Sequence, residues 1–164
     1  MNNRQKNDYK ILYESLPDRY CRLLFITGDP ENSDFLDLIL SIENRVHVSR
    51  ELAAILHDLP ANQCTKAVTG FFARLGEDTS AIFLTDMEIL FDHSLNVDPV
   101  KLLKNAARNR VIVVHWPGEI DFAANTLNYA VPGHSEYFTT ELTDDVLFFD
   151  VSGRNSLNKA TDRS

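Results

Sequence analysis

The chain has 164 residues, which suits one domain, and its content of 44% hydrophobic and 24% charged residues is ordinary for a globular protein. These values exclude wholesale disorder and low-complexity sequence. With 16 basic and 24 acidic residues the net charge is −8, so the chain lacks the overall basic character of a nucleic-acid-binding protein. The two cysteines, Cys21 and Cys64, are too few for a disulfide framework or a four-thiolate metal site.

The start of the chain is polar and does not resemble a secretory signal, and the apolar stretches are too short to span a bilayer. We therefore expect a cytoplasmic protein without a membrane partner. The small polar residues at both ends predict a flexible N-terminus over 1–8 and a flexible tail over 152–164. A single domain over 9–151 lies between them.

Helical and strand patterns alternate along the chain. The apolar spacing from Tyr9 predicts a short amphipathic helix that ends near Pro17. Further helices are predicted from Ser33, from Ser49, over 64–75 and from Asp98, which precedes Pro99 as a helix cap. Strands are predicted at 22–27, 45–48, 81–86, 111–115, 126–130 and 146–150. Buried strands separated by helices predict an α/β fold with a mostly parallel sheet covered on both faces.

The segment after the first predicted strand has the position of a phosphate loop but not its residues. In the motif G-x-x-x-x-G-K-[ST], the defining positions are occupied here by Gly28, Ser33, Asp34 and Phe35. Asp34 places a negative charge where a lysine would bind phosphate, and Phe35 cannot ligate magnesium. This degenerate loop favours a protein that is not an enzyme and that uses no cofactor or metal. ATP with Mg²⁺ is the alternative, and an ordinary acidic loop is the simplest interpretation.

Polar residues also end the two later central strands. Asp86 follows the strand at 81–85, and in a working ATPase it would hold Mg²⁺ through water while Glu88 polarised the attacking water. A strand-end acid that caps the next turn would have the same sequence. His115 ends the next strand, where it would lie near the phosphates or donate a hydrogen bond to a backbone carbonyl; we favour the second role.

An ordered series of short motifs fills the second half of the chain. The series is Ala107-Arg108-Asn109-Arg110, a β-prone run at 111–114, Trp116-Pro117-Gly118, Leu127-Asn128-Tyr129-Ala130, Pro132-Gly133-His134 and Glu136-Tyr137. It resembles the small P-loop-containing proteins of type 3 BREX phage-defence systems, the BrxF family. The resemblance covers roughly residues 82–150, together with the first strand and the degenerate loop at 22–35.

The resemblance implies a three-layer P-loop NTPase-like fold of the RecA or ASCE type. In that fold the strand at 111–115 lies beside 22–27, with 81–86 on its other side. It also implies an accessory protein of a bacterial antiphage complex, working beside a methyltransferase, an ATPase or helicase, and a PglZ-type protein. Because the phosphate loop departs from the family pattern, we favour a non-catalytic interaction protein over a weak or partner-dependent ATPase. A homo-oligomer is a further possibility.

Two groups of residues are candidates for contacting partners. The aromatic residues Trp116 and Tyr137 follow strand ends beside rigid turns, although Trp116 would equally suit the core. The basic group comprises Lys101, Lys104, Arg108 and Arg110. Its first three members have the spacing of one helix face, which would contact an acidic partner or phosphate. This helix makes a DNA-binding accessory protein the third candidate function, and a solvated helix face is the simpler interpretation.

Overall fold

The structure, a computed structural model, describes residues 3–29, 42, 44–75 and 81–151. This part of the chain contains four α-helices and eight strands. The helices are α1 (Asn3–Ser15), α2 (Val48–Leu56), α3 (Ala61–Arg74) and α4 (Pro99–Ala106). The strands are β1 (Leu23–Thr27), β2 (Arg45–His47), β3 (Ala81–Thr85), β4 (Val111–His115), β5 (Glu119–Asp121), β6 (Thr126–Tyr129), β7 (Phe138–Glu141) and β8 (Leu147–Asp150).

Five of these strands form a parallel main sheet in the order β2-β3-β4-β1-β8. The strand β1 therefore lies between β4 and β8, and β3 lies on the other side of β4. This order and the predicted parallel sheet are confirmed, and the predicted bounds of all five strands agree with the structure to within one residue. Parallel neighbours place all their carboxyl ends at one edge of the sheet, where ligands bind in open α/β folds.

The main sheet is covered on both faces because its side chains alternate between two apolar cores. In β1, Leu24 and Ile26 pack on the face that also holds the buried side chains of α1. Leu23 and Phe25 point to the opposite face, where the buried residues of α2, α3 and α4 lie. Such alternation within a strand buried on both faces explains its continuous apolar run. The predicted α/β fold with a mostly parallel sheet is thus confirmed, and its helices are compatible with a three-layer arrangement.

The first helix begins earlier than the apolar pattern predicted. It starts at Asn3, so residues 3–8 are helical where a frayed end was expected. Arg4, Gln5 and Lys6 are good helix formers, and they extend the helix without adding buried side chains. The predicted helix from Ser33 and the predicted tail over 152–164 lie outside the described residues.

A second, antiparallel sheet with the order β5-β6-β7 lies in the chain between β4 and β8. Only β6 was predicted from the sequence. The small sheet packs on the core through Ile120 and Leu127, which are buried in the same cluster as the residues of α2, α3 and α4. Asn128 of β6 lies beside Trp116, which follows the carboxyl end of β4, whereas Phe122 and Glu141 line a cavity with Arg19, which precedes β1.

Candidate functional site

The carboxyl end of β1 leads into the degenerate phosphate loop through Gly28. This glycine has φ +136, a backbone conformation that other residues rarely adopt. A Cβ atom at this position would lie 2.9 Å from the Cβ of Val151, at the end of the neighbouring strand β8. Both the backbone conformation of Gly28 and its close packing against Val151 therefore favour glycine at the first position of the loop. Ser33, Asp34 and Phe35 lie outside the described residues.

His115 lies at the end of β4, next to Gly28. Its Nε2 atom is 3.1 Å from the Gly28 carbonyl oxygen, so the Nε2–H tautomer donates a hydrogen bond to that backbone group. Of the two roles that the sequence left open for His115, the favoured one, a donor to a backbone carbonyl, is the one observed. The imidazole thereby fixes the start of the loop against the adjacent strand.

Asp86 follows β3 in the position predicted for a magnesium-binding acid, but its carboxylate has a protein partner. The Oδ2 atom lies 2.6 Å from Nδ1 of His47, which ends the neighbouring strand β2. The two side chains are 52% and 43% exposed, so solvent screens this pair and its contribution to stability is modest. Asp86 is thus engaged by a histidine that the sequence analysis did not single out.

The backbone around Asp86 is also held firmly. Asp86 has φ 55, in the left-handed region, which is uncommon for a residue other than glycine. Its carbonyl oxygen accepts hydrogen bonds from the backbone N–H of Ser49 at 2.7 Å and from Oγ of Ser49 at 2.5 Å. The same hydroxyl accepts from the backbone N–H of Ile89 at 3.1 Å. Ser49 therefore joins the start of α2 to the turn after β3.

The register of β2 and β3 explains why His47 and Asp86 come together. His47 pairs with Thr85 across β2 and β3, so the residue after β3 necessarily comes close to the end of β2.

Glu88, the second acid considered for catalysis, begins a short 3-10 helix, Glu88–Phe91, and is exposed. In the described ranges no three His, Cys, Asp or Glu side chains are placed to hold a metal ion together.

Trp116 follows His115 and lies in the core, with 1% of its surface exposed. The indole ring packs edge-on against Phe25 and Phe91, with centroid distances of 5.4 and 5.3 Å. Its Nε1–H donates to the carbonyl oxygen of Asn128 in β6 at 2.9 Å. Trp116 therefore joins the main sheet to the small sheet, and its predicted role at an exposed partner surface is corrected to a role in folding.

The predicted partner loop between β6 and β7 retains Tyr137 at its end, and this side chain is half-buried. The backbone N–H of Tyr137 donates to the carbonyl of His134, and Nδ1 of His134 accepts from the N–H of Glu136. These bonds close a compact turn. Val131, near the start of the loop, is 67% exposed.

The predicted basic helix face does not exist as expected. The helix α4 ends at Ala106, and the carbonyl of Ala107, just beyond it, accepts a hydrogen bond from the N–H of Arg22. Arg108 and Arg110 therefore lie beyond the helix. Lys104 contacts Asp145 at 3.2 Å, so its charge is neutralised, and only Lys101 remains as an exposed cation on α4.

Comparison with family models, with curated proteins and with solved structures finds no match to this chain. Among the described residues, no helix is long and apolar enough to cross a membrane. The function is therefore argued from the site itself and from the motif series in the sequence.

Proposed function

We propose that the chain is a P-loop NTPase-like domain of the RecA or ASCE type that serves as a non-catalytic interaction protein. Its setting would be a cytoplasmic antiphage complex of the BREX type. The order β2-β3-β4-β1-β8 supports the fold assignment, because it places the Gly28 loop at the carboxyl end of a central strand. The resemblance of the motif series at 107–137 to the BrxF family supports the defence role.

The observation that carries the non-catalytic assignment is the pairing of Asp86 with His47. A magnesium-binding acid needs its carboxylate oriented toward the metal and its water ligands. Here one carboxylate oxygen already accepts a hydrogen bond from an imidazole at 2.6 Å. Asp34 adds a negative charge in the lysine position of the loop. Two like charges about 4 Å apart cost roughly 4 kcal/mol at an effective dielectric of 20, so these residues do not fit ATP with Mg²⁺.

The first test is a calorimetric titration of the purified protein with ATP and Mg²⁺. We expect no binding at ligand concentrations up to about 1 mM, which corresponds to less than roughly 4 kcal/mol of binding free energy. The matched variant is Asp86→Asn, which keeps the shape of the side chain and removes its charge. A micromolar dissociation constant in the wild type that weakens in Asp86→Asn would contradict the proposal and support the ATPase alternative.

A second test concerns the partner surface. We propose the turn at 130–137, with half-buried Tyr137 at its end, as the surface that contacts other defence proteins. Because an aromatic residue at an interface centre contributes about 2 kcal/mol or more, Tyr137→Ala should weaken partner capture roughly thirtyfold. Exposed charges contribute much less, so Lys101→Ala should have little effect. Lys104 is a poor control because its ammonium group contacts Asp145.

The measurement is capture of the tagged methyltransferase, ATPase and PglZ-type components by each variant, with thermal melting to verify folding. A folded Tyr137→Ala protein that captures partners like the wild type, while Lys101→Ala does not, would show that the proposed surface is wrong. Loss of capture together with loss of folding is resolved by Tyr137→Phe, which preserves the ring and should restore both.

A further inference from the structure

A group of arginines lies at the amino ends of the strands of the main sheet, where β1 and β4 begin. Arg19 and Arg22 precede β1, and Arg108 and Arg110 precede β4. The two segments are joined by backbone hydrogen bonds from Arg22 N–H to the Ala107 carbonyl, at 2.9 Å, and from Ile112 N–H to the Arg22 carbonyl, at 2.8 Å. We call this surface the arginine edge; it consists of Arg19, Tyr20, Arg22, Arg108 and Arg110.

The guanidinium groups of the arginine edge keep their charge. Arg22 Nε donates to the carbonyl of Arg19 at 3.3 Å, and Arg19 Nη2 donates to the carbonyl of Asp144 at 3.1 Å, so both have neutral acceptors. Within the described part of the chain, no carboxylate lies within 4.0 Å of any of the four guanidinium groups. Arg108 is exposed, whereas Arg19, Arg22 and Arg110 are half-buried, and Nε of Arg19 and Nη1 of Arg110 are buried without a hydrogen-bond partner. The solvent-facing nitrogens of these groups can bind anions through charge-assisted hydrogen bonds.

The nearby acids do not cancel this charge. The carboxylate of Asp145 is bound by Lys104 at 3.2 Å, Glu141 and Asp144 line a cavity together with Arg19, and Asp18 precedes Arg19 in the chain. Counting Lys104, five cations and four carboxylates leave one positive charge on a chain whose net charge is −8. Burial raises the pKa of the Cys21 thiol, and the carboxylate of Asp145 raises it further. Lys104, Arg19 and Arg108 oppose this rise, so all three cations lie in the surroundings of the Cys21 thiol.

Tyr20 adds an exposed aromatic ring to this surface. The ring is 77% exposed, and the guanidinium carbon of Arg108 lies 5.6 Å from its centroid. A cation over the ring face holds the aromatic side chain in place without covering it. Exposed aromatic rings among cationic groups are the combination by which proteins bind single-stranded nucleic acids, since bases stack on the rings and phosphates contact the cations.

We propose that the arginine edge binds single-stranded nucleic acid, with phosphates contacting the guanidinium groups and a base stacking on Tyr20. An acidic protein segment suits the geometry less well. The aromatic anchor of a protein interface is surrounded by contacts that exclude water, whereas Tyr20 is 77% exposed and lies against the charged side chain of Arg108. This binding surface goes beyond the protein-partner role proposed above and does not depend on it.

The experiment is fluorescence anisotropy with a labelled 20-nucleotide oligo(dT), titrated at NaCl concentrations from about 25 to 300 mM. Each phosphate contact contributes roughly 0.7 to the slope of log affinity against log salt, so contacts from four arginines predict a slope of about −3. Arg108→Ala should reduce the steepness by about 0.7. Tyr20→Ala should weaken binding by roughly 5- to 150-fold through loss of base stacking.

The matched control is Arg50→Ala, which removes an exposed arginine from α2, the helix that follows the carboxyl end of β2. The affinity of this variant for oligo(dT) should match that of the wild type to within about twofold, because salt screens charges that lie far from the binding surface. Absence of saturable oligo(dT) binding would overturn the proposal. Equal losses in Arg50→Ala and Arg108→Ala would also overturn it, because binding would then follow net charge alone. Binding of poly-glutamate without binding of oligo(dT) would overturn it in favour of an acidic protein partner.

Discussion

Replacing Trp116 with alanine should lower the free energy of unfolding by about 3–5 kcal/mol, the range for removing a large buried aromatic side chain. The indole ring is 1% exposed and contacts aromatic rings from β1 and from the turn after β3. Its removal would leave a cavity between the two sheets and would leave the Asn128 carbonyl without its donor. Chemical denaturation followed by circular dichroism measures this loss.

The control for this prediction is Tyr20→Ala, which removes an aromatic ring that is 77% exposed. Away from buried contacts such a change should alter stability by no more than about 0.5 kcal/mol. Trp116→Phe should fall between the two, because it keeps an apolar ring and loses the hydrogen bond to β6. If Trp116→Ala and Tyr20→Ala cost the same, Trp116 does not join the two sheets as described.

The main sheet could be predicted from the sequence because each of its strands is a short apolar run between polar segments. Buried parallel strands need no alternation, and their order followed from the resemblance of the motif series to a P-loop family. The small sheet was missed except for β6. The strand β5 has three residues, and both Glu119 and Asp121 are exposed, so only Ile120 carries an apolar signal. Without that sheet, the burial of Trp116 was undecided.

The candidate site was predictable in position but not in its partners. Asp86, His115 and Gly28 lie at the carboxyl edge as expected, because parallel strands end together. The contacts that decide the chemistry of Asp86 come from Ser49 and His47, which lie about forty residues before it in the chain. No local pattern indicates such a pairing. Likewise, the residue after α4, Ala107, accepts a hydrogen bond from Arg22, on a distant segment, which the spacing of the residues in α4 does not indicate.

Gly118 is the position where a single added carbon should disturb the small sheet most. A Cβ atom there would lie 1.8 Å from the Asn128 carbonyl oxygen and 2.9 Å from Nε1 of Trp116. Backbone atoms cannot yield as a flexible side chain can, so Gly118→Ala should displace β6 and break the bond from the indole. Overpacking and two unsatisfied polar groups together predict a loss of about 2–5 kcal/mol of stability.

The matched control for Gly118→Ala is Gly70→Ala, in the interior of α3. There the added carbon would approach only Nη2 of Arg74, at an ordinary 3.6 Å. Because alanine favours a helix over glycine, Gly70→Ala should raise stability by about 0.5–1 kcal/mol, so the two glycine substitutions should have opposite signs. Trp116 is the single tryptophan, so its fluorescence reports the local change directly. Emission should move to longer wavelength in Gly118→Ala and stay unchanged in Gly70→Ala. Unchanged emission and stability in Gly118→Ala would mean that β6 does not approach the turn as closely as described, and the link between the two sheets would have to lie elsewhere.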